Sequence, residues 1–296
     1  MAQYAISEVD YDGTALPLNQ RTAQPGANVV RARAGGSITP THASVRSLDP
    51  RVTLETPHIA AALGVTGMLG ALIASDALLT MFSKQRSGTG FAGTLSHLQM
   101  VMNKGILVPR QLTAGLDGSS LTLEAIGVYD GSNEVIVVTD SQTYSGTDAI
   151  SEAFLVGPVM LNGTEVTRIQ SITVDFGLDV HITRGSGQVR PEEVSIRAQS
   201  PSIQFVTTDA SVLDTTGIDG VAQGATDSVV YLRKLDENGT VVADGTGQHI
   251  SFTIDDGVIT TEDIGGSDDD LARVMITPTD DGSNDILALS TTATIS

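Results

Sequence analysis

The chain has 296 residues, of which none is cysteine or tryptophan, and its only lysines are Lys84, Lys104 and Lys234. Without cysteine there is no disulfide framework and no thiolate metal site, and the redox compartment cannot be read from the sequence. Aromatic residues supply 4% of the chain, too few for an array of sugar-stacking platforms. Positive charge is also scarce. The formal net charge is −19, from 25 aspartates and ten glutamates, a field that repels phosphate and argues against a protein that grips nucleic acid. An acidic, lysine-poor surface suits a high-salt environment, where screening makes self-repulsion tolerable. The N-terminal run MAQYAISEVDYDG has neither a basic segment nor an apolar core, so no secretory signal is expected. The longest uncharged apolar stretch, Ile59 to Ser75, is interrupted by Gly64, Gly67 and Gly70 and closed by Asp76. It falls short of the ~20 residues of a membrane span and is read as a buried connection. Asp76–Phe82 is expected to be helical, with Ser75 or Asp76 as its N-cap.

What the chain does have is an internal duplication. Residues 36–56 (GSITPTHASVRSLDPRVTLET) and 187–207 (GQVRPEEVSIRAQSPSIQFVT) align without gaps at an offset of 151. Gly36/Gly187, Pro40/Pro191, Ser44/Ser195, Arg46/Arg197, Pro50/Pro201 and Thr56/Thr207 are identical. Ile38/Val189, Val45/Ile196, Val52/Ile203 and Leu54/Phe205 are apolar exchanges. At the same offset Asp130-Gly131-Ser132-Asn133 returns as Asp281-Gly282-Ser283-Asn284, and one residue out of step Asp12-Gly13-Thr14 returns as Asn162-Gly163-Thr164. A period this long means two tandem domains, 1–150 and 151–296, not a solenoid.

Both halves read as mainly β. Thr173–Thr183 alternates apolar and polar positions and predicts one long half-buried strand, with Asp175 and Asp179 on its polar face. Shorter strands are expected at Ser44–Ser47, Arg51–Thr56, Leu121–Val128, Val135–Thr139, Val194–Ala198, Ser202–Thr207, Val229–Leu232, His249–Ile254, Arg273–Thr277 and Ile286–Leu289. Asx-Gly pairs, among them Asp12-Gly13, Asp130-Gly131 and Asp281-Gly282, are of the kind that close hairpins. One short helix per half is expected after the repeat, at Ile59–Leu63 behind Thr56-Pro57 and at Ala210–Leu213 behind Thr208-Asp209. The fold class that follows is a pair of antiparallel β-sandwiches, each with one short helix. Stretches 85–94 and 262–270 are read as surface loops.

Catalytic chemistry finds little footing. Gly88–Gly93 fits GxGxxG but lacks the strand–turn–helix context of a dinucleotide site. His42, His58, His97, His181 and His249 have no metal-ligand spacing. Asp255-Asp256 and Asp268–Asp270 do not follow a calcium loop. No nucleophile motif occurs, so no enzyme, cofactor or metal is expected. Arg46 and Arg197 occupy equivalent places in the repeat and are candidate subunit-interface residues, since a guanidinium grips a carboxylate bidentately.

The run Val156–Val166 leading into the alternating segment 173–183, then Gly187, Pro191, Ser195-Ile196-Arg197 and Pro201–Asp209, with residues 36–63 as a second copy, resembles the tail tube proteins of long-tailed viruses. The resemblance implies that each half gives strands to a continuous inner β-barrel and one helix to its outside. A chain with two such domains would close a ring as a homotrimer with pseudo-sixfold symmetry, and the rings would stack into the conduit for DNA ejection. Its partners would be further copies of itself, the tape measure, tail terminator and baseplate proteins, and passing double-stranded DNA held without tight binding. The protein would be made in the host cytoplasm and reside in the virion tail, with no membrane contact. Asp175 and Asp179 would be candidate lumen-facing residues. Alternatives are another virion structural protein of the baseplate, head closure or capsid surface, or an extracellular β-sandwich adhesin or binding module.

Overall fold

The computed structural model describes residues 3–87, 90–93, 96–144, 150–209, 212–213, 223–225, 227–265 and 272–295. In the first half the elements are β1 (Gln3–Tyr11), β2 (Thr14–Pro17), β3 (Gln20–Gln24), β4 (Asn28–Ala32), β5 (His42–Ser47), β6 (Arg51–Thr56) and α1 (Ile59–Thr66). They continue with β7 (Ala71–Ile73), β8 (Leu79–Ser87), β9 (Gly90–Phe91), β10 (His97–Met102), β11 (Gly105–Gly115), β12 (Ser119–Gly127) and β13 (Ile136–Gln142). The second half begins with β14 (Ala153–Leu161), β15 (Thr164–Val166), β16 (Ile169–Asp175), β17 (Leu178–Thr183), β18 (Glu193–Gln199) and β19 (Ser202–Thr207). It ends with β20 (Gln223–Gly224), β21 (Ser228–Leu235), β22 (His249–Ile254), β23 (Gly257–Ile264), β24 (Ala272–Pro278) and β25 (Ala288–Ala293).

The protein is mainly β, and every strand pairing among the described residues is antiparallel. One outer sheet has the order β13-β10-β8-β1-β2 and the other β25-β22-β21-β14-β15, the same topology written twice. Between them runs a single ten-stranded sheet, ordered β20-β23-β24-β19-β16-β11-β12-β6-β3 with β7 beside β11. Strand β14 of the second outer sheet approaches β11 and β12 of the first half as well as β16 of its own, so the shared layer is continuous across the two halves. Period-two burial explains the packing: Val52 and Leu54, Leu121 and Leu123, Ile172 and Val174, and Ile203 and Phe205 all point into one apolar core. The fully buried Phe154, Phe176, Phe205 and Phe252 are its largest members in the second half, and Phe176 meets Phe252 edge-on at 6.3 Å.

The repeat is visible bond by bond. Asp12-Gly13 and Asn162-Gly163 have positive φ at both positions and close the β1–β2 and β14–β15 hairpins. Ser37 donates to the Ala34 carbonyl and Gln188 to Gly185, each at 3.1 Å. Thr41 donates to Ala32 and Glu192 to Thr183, at 2.9 and 3.0 Å. The Thr56 and Thr207 hydroxyls accept from the N–H of His58 and Asp209. Less expected is a repeated buried histidine: His97 Nδ1 accepts from Gln85 N–H at 3.3 Å and His249 Nδ1 from Lys234 N–H at 3.1 Å.

Several expectations need correction. The long strand Thr173–Thr183 is two strands, β16 and β17, because Gly177 takes φ +58° and turns the chain out of the shared sheet. Asp76–Phe82 is not helical; Leu79, Met81 and Ser83 alternate inward on β8. The Asp130 and Asp281 turns close no hairpin. Each carboxylate accepts two backbone N–H groups and makes the corner from the shared sheet to an outer one. Helix α1 is present, but Thr56 does not cap it; Glu152 Oε2 reaches from the inter-half connection to Ala60 and Ala61 N–H at 3.0 and 3.4 Å. The second expected helix, Ala210–Leu213, falls partly outside the described residues, as does most of 262–270. Of 85–94, residues 85–87 belong to β8 and Gly90–Phe91 to β9. No helix is long and apolar enough to cross a membrane among the described residues.

Candidate self-assembly surface

The feature with functional content is the junction between the halves. There β11 of the first half pairs with β16 of the second, Gln111 opposite Asp175, Leu112 opposite Val174 and Ala114 opposite Ile172. Topologically β16 is the counterpart of β3, and β11 that of β23. The short strand β7 covers the start of β11, with Leu72 opposite Ile106, and β20 covers the start of β23, with Gly224 opposite Val258. Among the described residues the shared sheet therefore ends on one side in β3 and on the other, beyond the short stretch that β20 covers, in β23, the two counterparts of the strands joined at its middle. Strand β3 is mostly exposed, and Ile264 at the end of β23 is 43% exposed. An open, paired-on-one-side strand is a template for further pairing.

A second contact reinforces the junction. The β17–β18 hairpin leaves the sheet at Gly177 and lays its connecting loop, residues 184–192, on the first half. Leu48 N–H donates to the Val189 carbonyl at 2.8 Å and Tyr129 N–H to the Pro191 carbonyl at 2.6 Å. Arg184 donates to the Leu48 carbonyl at 2.9 Å and Lys104 Nζ to the Glu192 carbonyl at 3.2 Å. Arg190 pairs with Glu134 and lies over the Tyr129 ring. Pro191 is buried by this docking.

One face of the shared sheet supplies the core and the other is mainly polar: Gln20, Thr22, Thr53, Glu55, Thr122, Glu124, Thr113, Thr173, Gln204 and Thr277 lie on it in alternation with buried apolar residues, and Val206, Val258 and Met275 are apolar exceptions on the same face. Glu124 is held there by Arg51 at 3.1 Å and by Arg110, whose Nε donates at 2.6 Å. Asp175 is exposed on the same face, with Oδ1 accepting from Gly177 N–H. Asp179 is exposed on the β17–β18 hairpin, so the two aspartates do not share a sheet. Arg197 on β18 bonds His181 across the hairpin at 2.8 Å, and its repeat partner Arg46 is exposed on β5. The sequence marked the repeat that contains Pro191 and Val189, yet read it as strand pattern alone. Arg184, Val189 and Pro191 carry the docking, and their signal was identity or apolar match with Arg33, Ile38 and Pro40.

Among the described residues no cluster of three or more His, Asp or Glu side chains could hold a metal. Among the described residues, five surface cavities are open and lack convergent catalytic groups. No protein-family model matches the chain and no curated protein matches its sequence.

Proposed function

We propose that the chain is the ring-forming subunit of a viral tail tube, three copies closing a pseudo-sixfold ring that stacks into a conduit for DNA and resides in the virion. One observation supports this above all: the sheet that joins the two halves ends in strands equivalent to those at its own middle. Head-to-tail repetition of an interface closes a ring when its rotation divides a full turn without a rise, and closure removes both open edges. In the copied register Asp263 of one chain stands opposite Gln24 of the next, and Ile264 opposite Ala23. The polar face, with its carboxylates and its tethered arginines, then lines the lumen, where an acidic wall lets a phosphate backbone slide.

Electron microscopy of purified protein in molar salt tests the reading. Threefold rings with six similar lobes, or hollow tubes with an axial repeat of about 40 Å for strands of this length plus turns, are expected. A monomer in all conditions, or a twofold dimer, overturns it. A single ring that never stacks favours a head-closure or baseplate component instead.

A further inference from the structure

The two hairpins of the repeat have the same conformation but different surroundings. Loop 33–41 and loop 184–192 share their turn, their Gly36 and Gly187 with φ +83° and +80°, and their closing backbone bonds. The second loop is docked, with Pro191 buried and Val189 partly buried. The first is bare. Ile38, the counterpart of Val189, is 88% exposed, and Arg33 and Pro40 are exposed as well. Within a single copy the Ile38 side chain thus gains no apolar burial, whereas its counterpart in the docked loop does.

The receiving surface is also duplicated. Leu48, Glu134, Val135, Ile136 and Val138 line a cavity of about 280 Å³ beside the docked loop, which contributes Arg190. Their counterparts Gln199, Asp285, Ile286, Leu287 and Leu289 line a cavity of about 380 Å³ on the second half. Thr66, the last residue of α1, and Gly67–Leu69 after it form one wall, and among the described residues no hairpin lines it. Gln199 Nε2 lies buried there without a hydrogen-bond partner among the described residues.

We infer that loop 33–41 of one copy is a strap that docks on the second half of the next copy, across Gln199, Asp280 and the rim of the Asp285 cavity. The inference rests on the ring reading above and specifies its lock. The internal docking gives the contacts: Gln199 N–H donates to the Ile38 carbonyl, Asp280 N–H to the Pro40 carbonyl, and Arg33 to the Gln199 carbonyl. Ile38 and Pro40 lose their exposure as Val189 and Pro191 have. The ion pair is not copied, since Thr39 stands in place of Arg190.

A chain without cysteine makes the test clean. The double variant Ile38→Cys/Gln199→Cys is oxidised after assembly in molar salt and run on a denaturing gel. Covalent dimers and trimers are expected, with neither single variant cross-linking. Leu48→Cys/Val189→Cys, the internal equivalent, should close within one chain and serves as the geometric control. In parallel, Ile38→Glu should raise the protein concentration needed for assembly roughly tenfold or more, as loss of a central apolar contact does, while leaving the melting temperature of the unassembled chain unchanged. Rings that form equally well with Ile38→Glu and never cross-link at 38 and 199 overturn the strap and leave the ring reading standing. A wild-type chain that never assembles overturns both. A covalent ladder running past three chains keeps the strap and overturns the trimer.

Discussion

Replacing Gly177 by alanine tests how the hairpins are aimed. Gly177 has φ +58°, and a Cβ built on it would lie 1.8 Å from the Ser200 carbonyl oxygen and 2.3 Å from its carbon. The obstacle is backbone, fixed by the Ser200 N–H bond to the Gly177 carbonyl at 2.9 Å, so it cannot swing aside as a side chain would. Two costs add: about 1 kcal/mol for an L-residue at positive φ, and about 2 kcal/mol for the forced backbone shift, typical of overpacking. Gly187 is the internal comparison. Its φ is +80° but nothing lies within 4 Å of a Cβ, so only the first cost of about 1 kcal/mol applies. At roughly 2–4 °C per kcal/mol for a chain of this size, Gly177→Ala should lower the melting temperature by about 9 °C and Gly187→Ala by about 3 °C. Differential scanning calorimetry on the unassembled protein reads both. Equal shifts would refute the steric account and leave only conformational preference. Gly26, at the root of the bare hairpin, would place its Cβ 2.1 Å from the Asp49 carbonyl oxygen and should behave like Gly177.

Other expectations follow from single contacts. Phe252→Ala removes a fully buried ring that packs on Phe176 and should cost about 3–5 kcal/mol in denaturant unfolding. Glu124→Gln weakens the hold on Arg51 and Arg110 and should cost about 1–2 kcal/mol by the same assay. Burial pushes the His58 imidazole below its ordinary value, with Glu152 opposing, and its Nε2 accepts from Ser151 N–H. The folded state therefore favours neutral His58, so stability is intact above the unfolded value near 6.5 and falls as pH drops below it; a melting temperature whose loss between pH 7.5 and 5 is undiminished in His58→Gln would contradict this. Hydrogen bonds from Asn133 and Ser132 hold Asp130 down to about 2, so its carboxyl resonance should titrate well below that of an ordinary aspartate in an NMR pH series.

Most strands that the sequence discloses have one wet face, although His249–Ile254, which matches β22 at both ends, is buried on nearly every residue. Arg51–Thr56 and Ser202–Thr207 match β6 and β19 at both ends because their apolar residues alternate against water. Strand β11 escapes for the opposite reason: Ile106, Leu107 and Val108 are all buried, and Pro109 argues against a strand until the bulge that houses it is seen. Strand β8 alternates correctly, but Met81 and Phe82 follow an apolar stretch that also fits a helix. Thr173–Thr183 keeps its period across a break because Gly177 restarts the alternation in phase. The site is harder still. Tyr129 and Pro191, or Leu48 and Val189, meet only after the halves are joined, and no local pattern encodes a contact over such a separation. The repeat alone carried that information, by keeping Pro40 and Ile38 in a loop where both are exposed.

Comparing the internal junction with its expected copy shows which forces differ. Arg33 and the carbonyls of Ile38 and Pro40 are kept, as is the strand register. The charged supports are not. Glu262 stands where Arg110 does, Asp256 where Lys104 does, and Asp280 where Tyr129 does, while Pro25 lacks the N–H with which Phe176 bonds the Arg110 carbonyl. The junction within a chain thus has the cations Arg110 and Lys104 where the proposed junction between chains would have carboxylates. The first forms during folding, at the high effective concentration that covalent linkage provides. The second must bring together chains of net charge −19 across an acidic edge, so its strength depends on screening. At 0.1 M salt the screening length is about 10 Å and at 1 M about 3 Å, shorter than the reach across the contact. Assemblies formed in molar salt should therefore dissociate to folded single chains on dilution to 0.1 M, with the β11–β16 pairing intact by hydrogen exchange. Dissociation accompanied by loss of protection at Leu112–Ala114 would mean that the two junctions are equally dependent on salt, and that the exchange of cations for carboxylates has no effect.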